Sequence, residues 1–280
     1  MPSKSPPLAI RTHVVRSDDL DNRDWLRDQP VCRELGQHHI SHVEILEASE
    51  PFTMTRTDQS GTCMMACFGG SGMVKADGQW KRLEAGQACL LPPFVTNQLK
   101  ATGSEPMRMC TVRYHESREA RPILSHKSPV LGNYHPDPLR RAIQGLHAEA
   151  TGQALPAQLN AWAELIHSYV LRFAQPHQSD TRLWRMWETV DRELAHPWTL
   201  DELAAKACVS KEHLRRLCRS ELGRTPMQHV TFLRMRRARQ LLTSTGDKIE
   251  SISRDVGFIN PNTFSNTFQK WTGRRPSQVR

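Results

Sequence analysis

The rhythm of apolar and polar positions changes twice along this chain. Between Gln37 and about Tyr114, apolar residues come in short runs separated by Gly, Pro, Asp or Asn. Residues 42–46, 64–68, 73–76, 88–91 and 108–114 read as strands. Asp77-Gly78 is a hairpin turn pair, and 84–87 and Pro92-Pro93 are further breaks. Many short strands at even spacing predict a small sandwich or jelly-roll barrel. From Asp137 the period becomes helical, with Leu139, Ile143 and Leu146 on one face. After a break at 151–156, a second stripe runs through Leu159, Trp162, Leu165, Ile166, Tyr169, Val170 and Phe173. The two stripes predict a helical hairpin, which either covers the barrel or pairs with its copy in a second chain.

The third rhythm begins at Thr199. Residues 199–226 read TLDELAAKACVSKEHLRRLCRSELGRTP. Leu200, Leu203, Ala204 and Ala207 form one short stripe, and the run breaks at Cys208-Val209. Ser210 can cap a second helix with Leu214, Leu217, Cys218 and Leu222 apolar; Gly223 stops it and Pro226 can open the next. A short helix, a tight turn and a helix with a basic outer face is the outline of a helix-turn-helix. The outline recurs at 248–276: Leu203 matches Ile252 and Ala207 matches Val256, at an offset of 49. One residue then enters the turn, after which Ser210 matches Asn260, Leu214 Phe264, Cys218 Phe268, Gly223 Gly273 and Pro226 Pro276. The chain is thus expected to carry two such units. The helix between them, 226–244, would span roughly 27 Å at 1.5 Å per residue and hold them apart.

These patterns divide the chain into a polar arm (1–36) with a short helix at 24–27, a strand-rich domain (37–135), the helical hairpin (136–174), a linker (175–182) and an all-helical domain (183–280). A last helix would begin at Pro276. No apolar run approaches the ~20 residues that span a bilayer, and residues 1–20 lack a secretory signal's apolar core. A cytoplasmic protein without membrane partners is expected. Seven cysteines follow no framework spacing; Cys208 and Cys218 read as small core residues, and Cys63 and Cys67 as buried thiols rather than a metal pair. The net charge of +9 is localised: from Arg182 onward there are 19 Lys or Arg and 10 Asp or Glu, whereas before it there are 19 of each. A basic excess on paired helix-turn-helix units implies a polyanion partner, double-stranded DNA.

At 183–280 the chain resembles the AraC/XylS family of bacterial transcription regulators. The resemblance rests on LAAKACVSKEHLRRLCRSELGRTPMQHV, then RMRRARQLL, then ISRDVGFINPNTFSNTFQKWTGRRPSQVR, with its turn at 255–258. The front half is similar to that family's cupin-like domain more loosely, through DGQWKRLEAGQACLLPP. The implied fold is α+β: an N-terminal cupin-like β-barrel with a helical hairpin, then a C-terminal all-α domain with two helix-turn-helix motifs. The resemblance implies a transcription factor, usually an activator, that responds to a small effector, works with RNA polymerase and often forms a homodimer. Its recognition helices match 210–222 and 261–272.

Glu212, Arg215 and Arg216 share one face of the first recognition helix. Arginine can donate twice to guanine, and glutamate can accept from cytosine N4. Lys211 and Arg219 suit phosphates. In the second helix, Asn260, Asn262, Ser265 and Asn266 are polar and uncharged, and asparagine can read adenine. The first unit should therefore supply more affinity and discrimination. In the front domain Phe52, Met54, Arg56, Met65, Cys67 and Trp80 are candidate ligand contacts, with Trp80 either stacking on a sugar or aromatic effector or serving as core. His38, His39 and His42 make HHxxH, which on a strand does not bring three ligands to one face. Cupin enzymes use HxH with a following Glu and a later His, whereas Gln59-Ser60-Gly61 and Asn97-Gln98 stand at the corresponding stretch. No cofactor, metal or catalytic set is expected. Two other readings stay open: a cupin-type enzyme with a DNA-binding tail, and a DNA binder whose front domain only dimerises.

Overall fold

The structure is a computed structural model that describes residues 9–18, 23–56, 61–93, 95–115, 123–126, 128–175 and 181–279. Its front half is built from β1 (Ala9–Arg16), β2 (Ile40–Ala48), β3 (Thr53–Arg56), β4 (Cys63–Gly69), β5 (Ser71–Ala76), β6 (Gln79–Glu84), β7 (Gln87–Leu91), β8 (Asn97–Thr102), β9 (Met107–Tyr114) and β10 (Leu131–Asn133). These form a six-stranded sheet, β1-β2-β9-β4-β7-β10, and a four-stranded sheet, β3-β8-β5-β6. All their pairings are antiparallel. Two one-turn helices, α1 (Asp24–Arg27) and α2 (Glu34–Gln37), lie between β1 and β2.

Alternation along the strands assigns each face of the larger sheet. Leu46 and Ala48 of β2, Cys63, Met65 and Cys67 of β4, and Met107 and Met109 of β9 turn toward the smaller sheet and form one apolar cluster. Val43, Ile45, Met64, Ala66, Cys110 and Val112 turn the other way. That outer face is covered by α3 (Asp137–Thr151) and α4 (Pro156–Ala174), through Leu139, Ile143, Leu146, Leu159, Ile166 and Val170. The hairpin therefore covers its own sheet.

Part of the polar amino-terminal arm is a strand: β1 pairs with β2 along Ala9–Arg16, because Val14 and Val15 are buried and Ala9 packs partly against the inter-sheet cluster, a pattern that the surrounding charges conceal. Strands β3, β6 and β8 were not legible as strands because their outer residues are polar or charged. Most of the expected linker, 176–180, lies outside the described residues, as do Gln59 and Ser60. The Asp77-Gly78 turn joins β5 to β6 with φ of 52° and 73°, the paired positive values of a tight hairpin.

The rear half consists of α5 (Thr181–Arg192), α6 (Leu200–Lys206), α7 (Lys211–Leu222), α8 (Pro226–Ser244), α9 (Ile249–Asp255) and α10 (Pro261–Thr272). Pro276–Gln278 is a single 3-10 turn rather than a further helix. Cys208 is exposed, not core, with φ 54°: it occupies the left-handed turn position that Gly257 (φ 80°) fills in the second unit. Cys218 is buried in α7, and Cys63 and Cys67 are buried free thiols.

The two halves share one continuous apolar cluster and a polar seam. The hairpin end of β5–β6 reaches Arg224, whose Nε donates to Asp77 Oδ2 at 3.0 Å. Arg224 Nη1 donates to the Ser128 carbonyl at 2.9 Å and to His229 Nδ1 at 3.2 Å, while His229 Nε2 donates to the His126 carbonyl at 2.8 Å. The Lys81 ammonium donates to the Gly223 carbonyl at 3.0 Å, and Val130 N–H to the Leu222 carbonyl at 3.1 Å. At the other unit, Thr96 N–H donates to the Thr272 carbonyl at 2.8 Å. Both helix ends are glycines with positive φ, and both stand where a Cβ would collide: with the Leu131 carbonyl at Gly223, and with the Thr96 side chain at Gly273. Glycine here ends the helix and admits the front domain.

Candidate nucleic-acid interface

Each unit is assembled by the same local devices. Thr199 caps α6 with a reciprocal Thr199–Glu202 capping box. Ser210 caps α7 by accepting from His213 N–H at 3.2 Å. Leu203, Ala204 and Ala207 of the first arm, and Leu214, Cys218 and Leu222 of the second, are buried. The repeat buries Ile252, Val256, Phe264 and Phe268. Burying these stripes leaves the opposite faces of α7 and α10 to solvent.

On α7, Lys211, Glu212, Arg215, Arg216 and Arg219 are all exposed. Glu212, Arg215, Arg216 and Arg219 fall at i, i+3, i+4 and i+7, a single row along the helix. Arg215 Nη1 pairs with Glu212 Oε2 at 3.3 Å, and Lys211 Nζ with Asp201 Oδ1 at 2.8 Å. Such exposed pairs stabilise by under about 1 kcal/mol, so a stronger acceptor can replace them. Arg216 Nη2 donates to His213 Nδ1 at 2.9 Å, a neighbour that sequence reading missed because histidine carries no formal charge there.

On α10, Asn262 and Asn266 are exposed and Ser265 is half-buried. Asn260 is exposed, but its Oδ1 is occupied as the helix cap, accepting from the N–H groups of Asn262 at 2.8 Å and Thr263 at 3.3 Å. It orients the row on α10, and its acceptor oxygen is already engaged. Just before it Ile259 is 97% exposed, an apolar side chain that could meet a thymine methyl. Its only sequence signal is an isoleucine inside a turn.

Some of the rear domain's basic excess is structural. Arg224 is fully buried on Asp77, Arg236 pairs with Asp191 at 2.8 Å, Arg234 donates to the carbonyls of Leu194 and His196, and Arg239 to that of Pro93. The exposed cations of α7 remain on the outer face, and Lys206 of α6 and Arg254 of α9 are exposed as well.

Of the front-domain candidates, Met54, Arg56 and Met65 face the space between the sheets, whereas Trp80 does not. Met65 and Cys67 are buried in the inter-sheet cluster, with Phe52 and Met54 packed partly against it. Arg56 approaches buried Glu44 at 3.6 Å. Trp80 is turned outward, 40% exposed, with the Lys100 ammonium 4.8 Å above its ring; on β6 it is Leu83 that points in. Of the three histidines, His38 stacks on His167, His39 has φ 58° and His42 is fully buried. Among the described residues no three His, Cys, Asp or Glu side chains are grouped to hold a metal. None of the described helices is long and apolar enough to cross a membrane.

A family profile described as "Helix-turn-helix domain" matches residues 203–280. The HTH-type transcriptional regulator ArgR of Pseudomonas aeruginosa is 34% identical over 91 residues, covering 32% of this chain but only 28% of ArgR. The HTH-type transcriptional regulator AlkR of Acinetobacter baylyi is 25% identical over 268 residues, 86% of this chain and 87% of AlkR. Among solved structures, the C-terminal domain of AraT, a response regulator from Geobacillus stearothermophilus, is 30% identical over 37% of this chain and 87% of its own, with a TM-score of 0.36.

Proposed function

We propose that the chain, whose residues 203–280 match a helix-turn-helix profile, is an AraC/XylS-type, sequence-specific DNA-binding transcription regulator controlled by a small effector. The observation that carries this reading is the duplication itself. Two capped helices, α7 and α10, each bury an apolar stripe and expose a row of DNA-competent side chains. Separated by α8, they would enter successive major grooves about 34 Å apart. In this reading Arg215 and Arg216 read guanine, Glu212 reads cytosine, and Asn262 and Asn266 read adenine. Lys211 and Arg219 meet phosphate, and Ser265 supports the second contact.

The seam supports control by the front domain. Front-domain groups bind the carboxyl ends of both recognition helices, at Leu222–Arg224 and at Thr272. An effector that changes how the sheets pack would change the restraint on both helices, provided it binds the two states unequally. As an activator the protein would contact RNA polymerase. A homodimer would form through the outer side of α4, where Leu165 is exposed beside half-buried Trp162. A second reading, in which the front domain only dimerises, is favoured by the side chains that fill the apolar part of the inter-sheet space.

The test compares DNA-binding losses for Arg216→Ala and Asn266→Ala by fluorescence anisotropy on a duplex selected by the protein. The arginine variant should lose more, about 1–3 kcal/mol for a bidentate base contact. A larger loss for the asparagine variant contradicts the assigned roles. Binding should also weaken steeply with salt.

A further inference from the structure

The space between the two sheets has two chemically different ends. Leu46, Leu99, Met107 and Met109 make one end apolar. The other collects charge. Continuing the inward alternation, β2 places His42 and Glu44 there, β9 places Arg113, β1 contributes Arg11 and β3 contributes Arg56. Arg11 Nε lies 3.0 Å from Glu44 Oε2, and Arg56 Nη2 lies 3.6 Å from Oε1. His42 and Glu44 are fully buried and Arg113 is 7% exposed. Arg23 Nη2 donates to His42 Nδ1 at 3.3 Å, which leaves the ring proton on Nε2. His42 Nε2 and Arg113 Nη1 are both buried without a hydrogen-bond partner. Burial and then the charges of Arg23, Arg56, Arg113 and Arg11 hold the His42 pKa well below its ordinary value. Burial likewise pulls Arg113 down to about 10.

Arg11, Arg23, Arg56 and Arg113 gather here around the single carboxylate of Glu44, so the two unpartnered donors favour a further acceptor that carries charge. We propose that this end of the inter-sheet space binds the carboxylate of a small organic acid. The carboxylate accepts from Arg113 and His42, and Arg56 closes over it from the opposite sheet. A guanidinium fork matches the two oxygens of a carboxylate. Glu44 beside it disfavours a dianion such as phosphate, and a neutral sugar would leave the arginine charges uncompensated. The acid's apolar body lies toward Met54, Met65 and Met109, whose unbranched thioether chains can shift to admit it. This inference rests on the front domain being the effector domain, and it names the class of effector.

The test uses the full-length protein and pairs of acids and amides at constant ionic strength: acetate with acetamide, butyrate with butyramide, benzoate with benzamide. Thermal shift and isothermal titration calorimetry are read without DNA. The acids should bind saturably, butyrate and benzoate more tightly than acetate, and the amides should not. Arg113→Gln and the less buried Arg56→Gln should each weaken acid binding about 10-fold or more, with far-UV circular dichroism unchanged for at least the latter. Trp80→Ala, on the outer surface, should bind as wild type. Equal binding of acids and amides, no saturable binding by any acid, or wild-type affinity in folded Arg56→Gln overturns the proposal. Affinity for a selected duplex is measured separately. Acid binding that leaves DNA affinity and transcription unchanged overturns effector control but not the site, whereas intact DNA binding without acid binding overturns the site alone.

Discussion

Replacing Asp77 by asparagine removes one charge from the seam while keeping a residue type that tolerates the left-handed turn conformation observed there, φ 52°. The partner left behind is Arg224, fully buried, with its guanidinium 3.9 Å above the Phe232 ring and Nη2 already without a hydrogen-bond partner. Breaking a buried ion pair by removing one member costs about 3–5 kcal/mol. An amide oxygen at this position can still accept from Arg224 Nε, and the Ser128 carbonyl stays in place. The loss for Asp77→Asn should therefore sit at the lower end, about 3 kcal/mol. Arg224→Met should cost less than that, because Lys81 Nζ, 3.9 Å from Asp77 Oδ2, still faces the carboxylate. The double variant should cost clearly less than the sum of the two, because the uncompensated charge is then gone. Urea unfolding followed by tryptophan fluorescence is the assay. Trp187 stacks edge-on to His229 at 4.5 Å, so the seam contributes to the signal of the seven tryptophans, and the apolar cluster shared by both halves predicts one transition. A loss under about 1 kcal/mol for Asp77→Asn, well short of the buried-pair range, or strict additivity in the double variant, would refute the view that this pair holds the two domains together.

Other consequences concern stability and pH. Cys208→Gly should stabilise the protein by roughly 1 kcal/mol in the same assay, since an exposed cysteine occupies a left-handed position that costs a side chain about that much. His42 and His229 are buried and held well below their ordinary pKa, first by burial and then by neighbouring arginines. The unfolded chain therefore binds more protons than the native one below about pH 6.5, so stability is lost as pH falls through that value. Stability should therefore fall between pH 7 and pH 5, and His229→Gln should make that fall shallower; a pH-independent unfolding free energy over that window would contradict their burial as neutral groups.

Much of the rear domain was legible because its signals are local. The cap at Ser210, stops at Gly223 and Gly273, and stripes such as Leu214–Cys218–Leu222 are read within a few residues, and each appears where spacing put it. The front domain was only partly legible. Strand β1 hides in a polar segment because its stability comes from pairing with β2, a partner distant in the chain. Trp80 escapes sequence reading because alternation alone does not tell which face of β6 is inner; Leu83 settles it only once the sheets are stacked. The seam was not legible, since Arg224 looks like any other basic residue until Asp77, 147 positions earlier, is brought beside it. Asn260 shows a further limit, as a residue able to read adenine is occupied in capping its own helix.

The measurement that bears most directly on paired recognition is the spacing of bases in DNA selected by the protein from a random library, followed by base-resolution footprinting. The account predicts two clusters of specified positions, about 10–10.5 base pairs apart centre to centre, with Arg216→Ala relaxing one and Asn266→Ala the other. Enrichment of a single short cluster, or relaxation of the same positions by both variants, would contradict it.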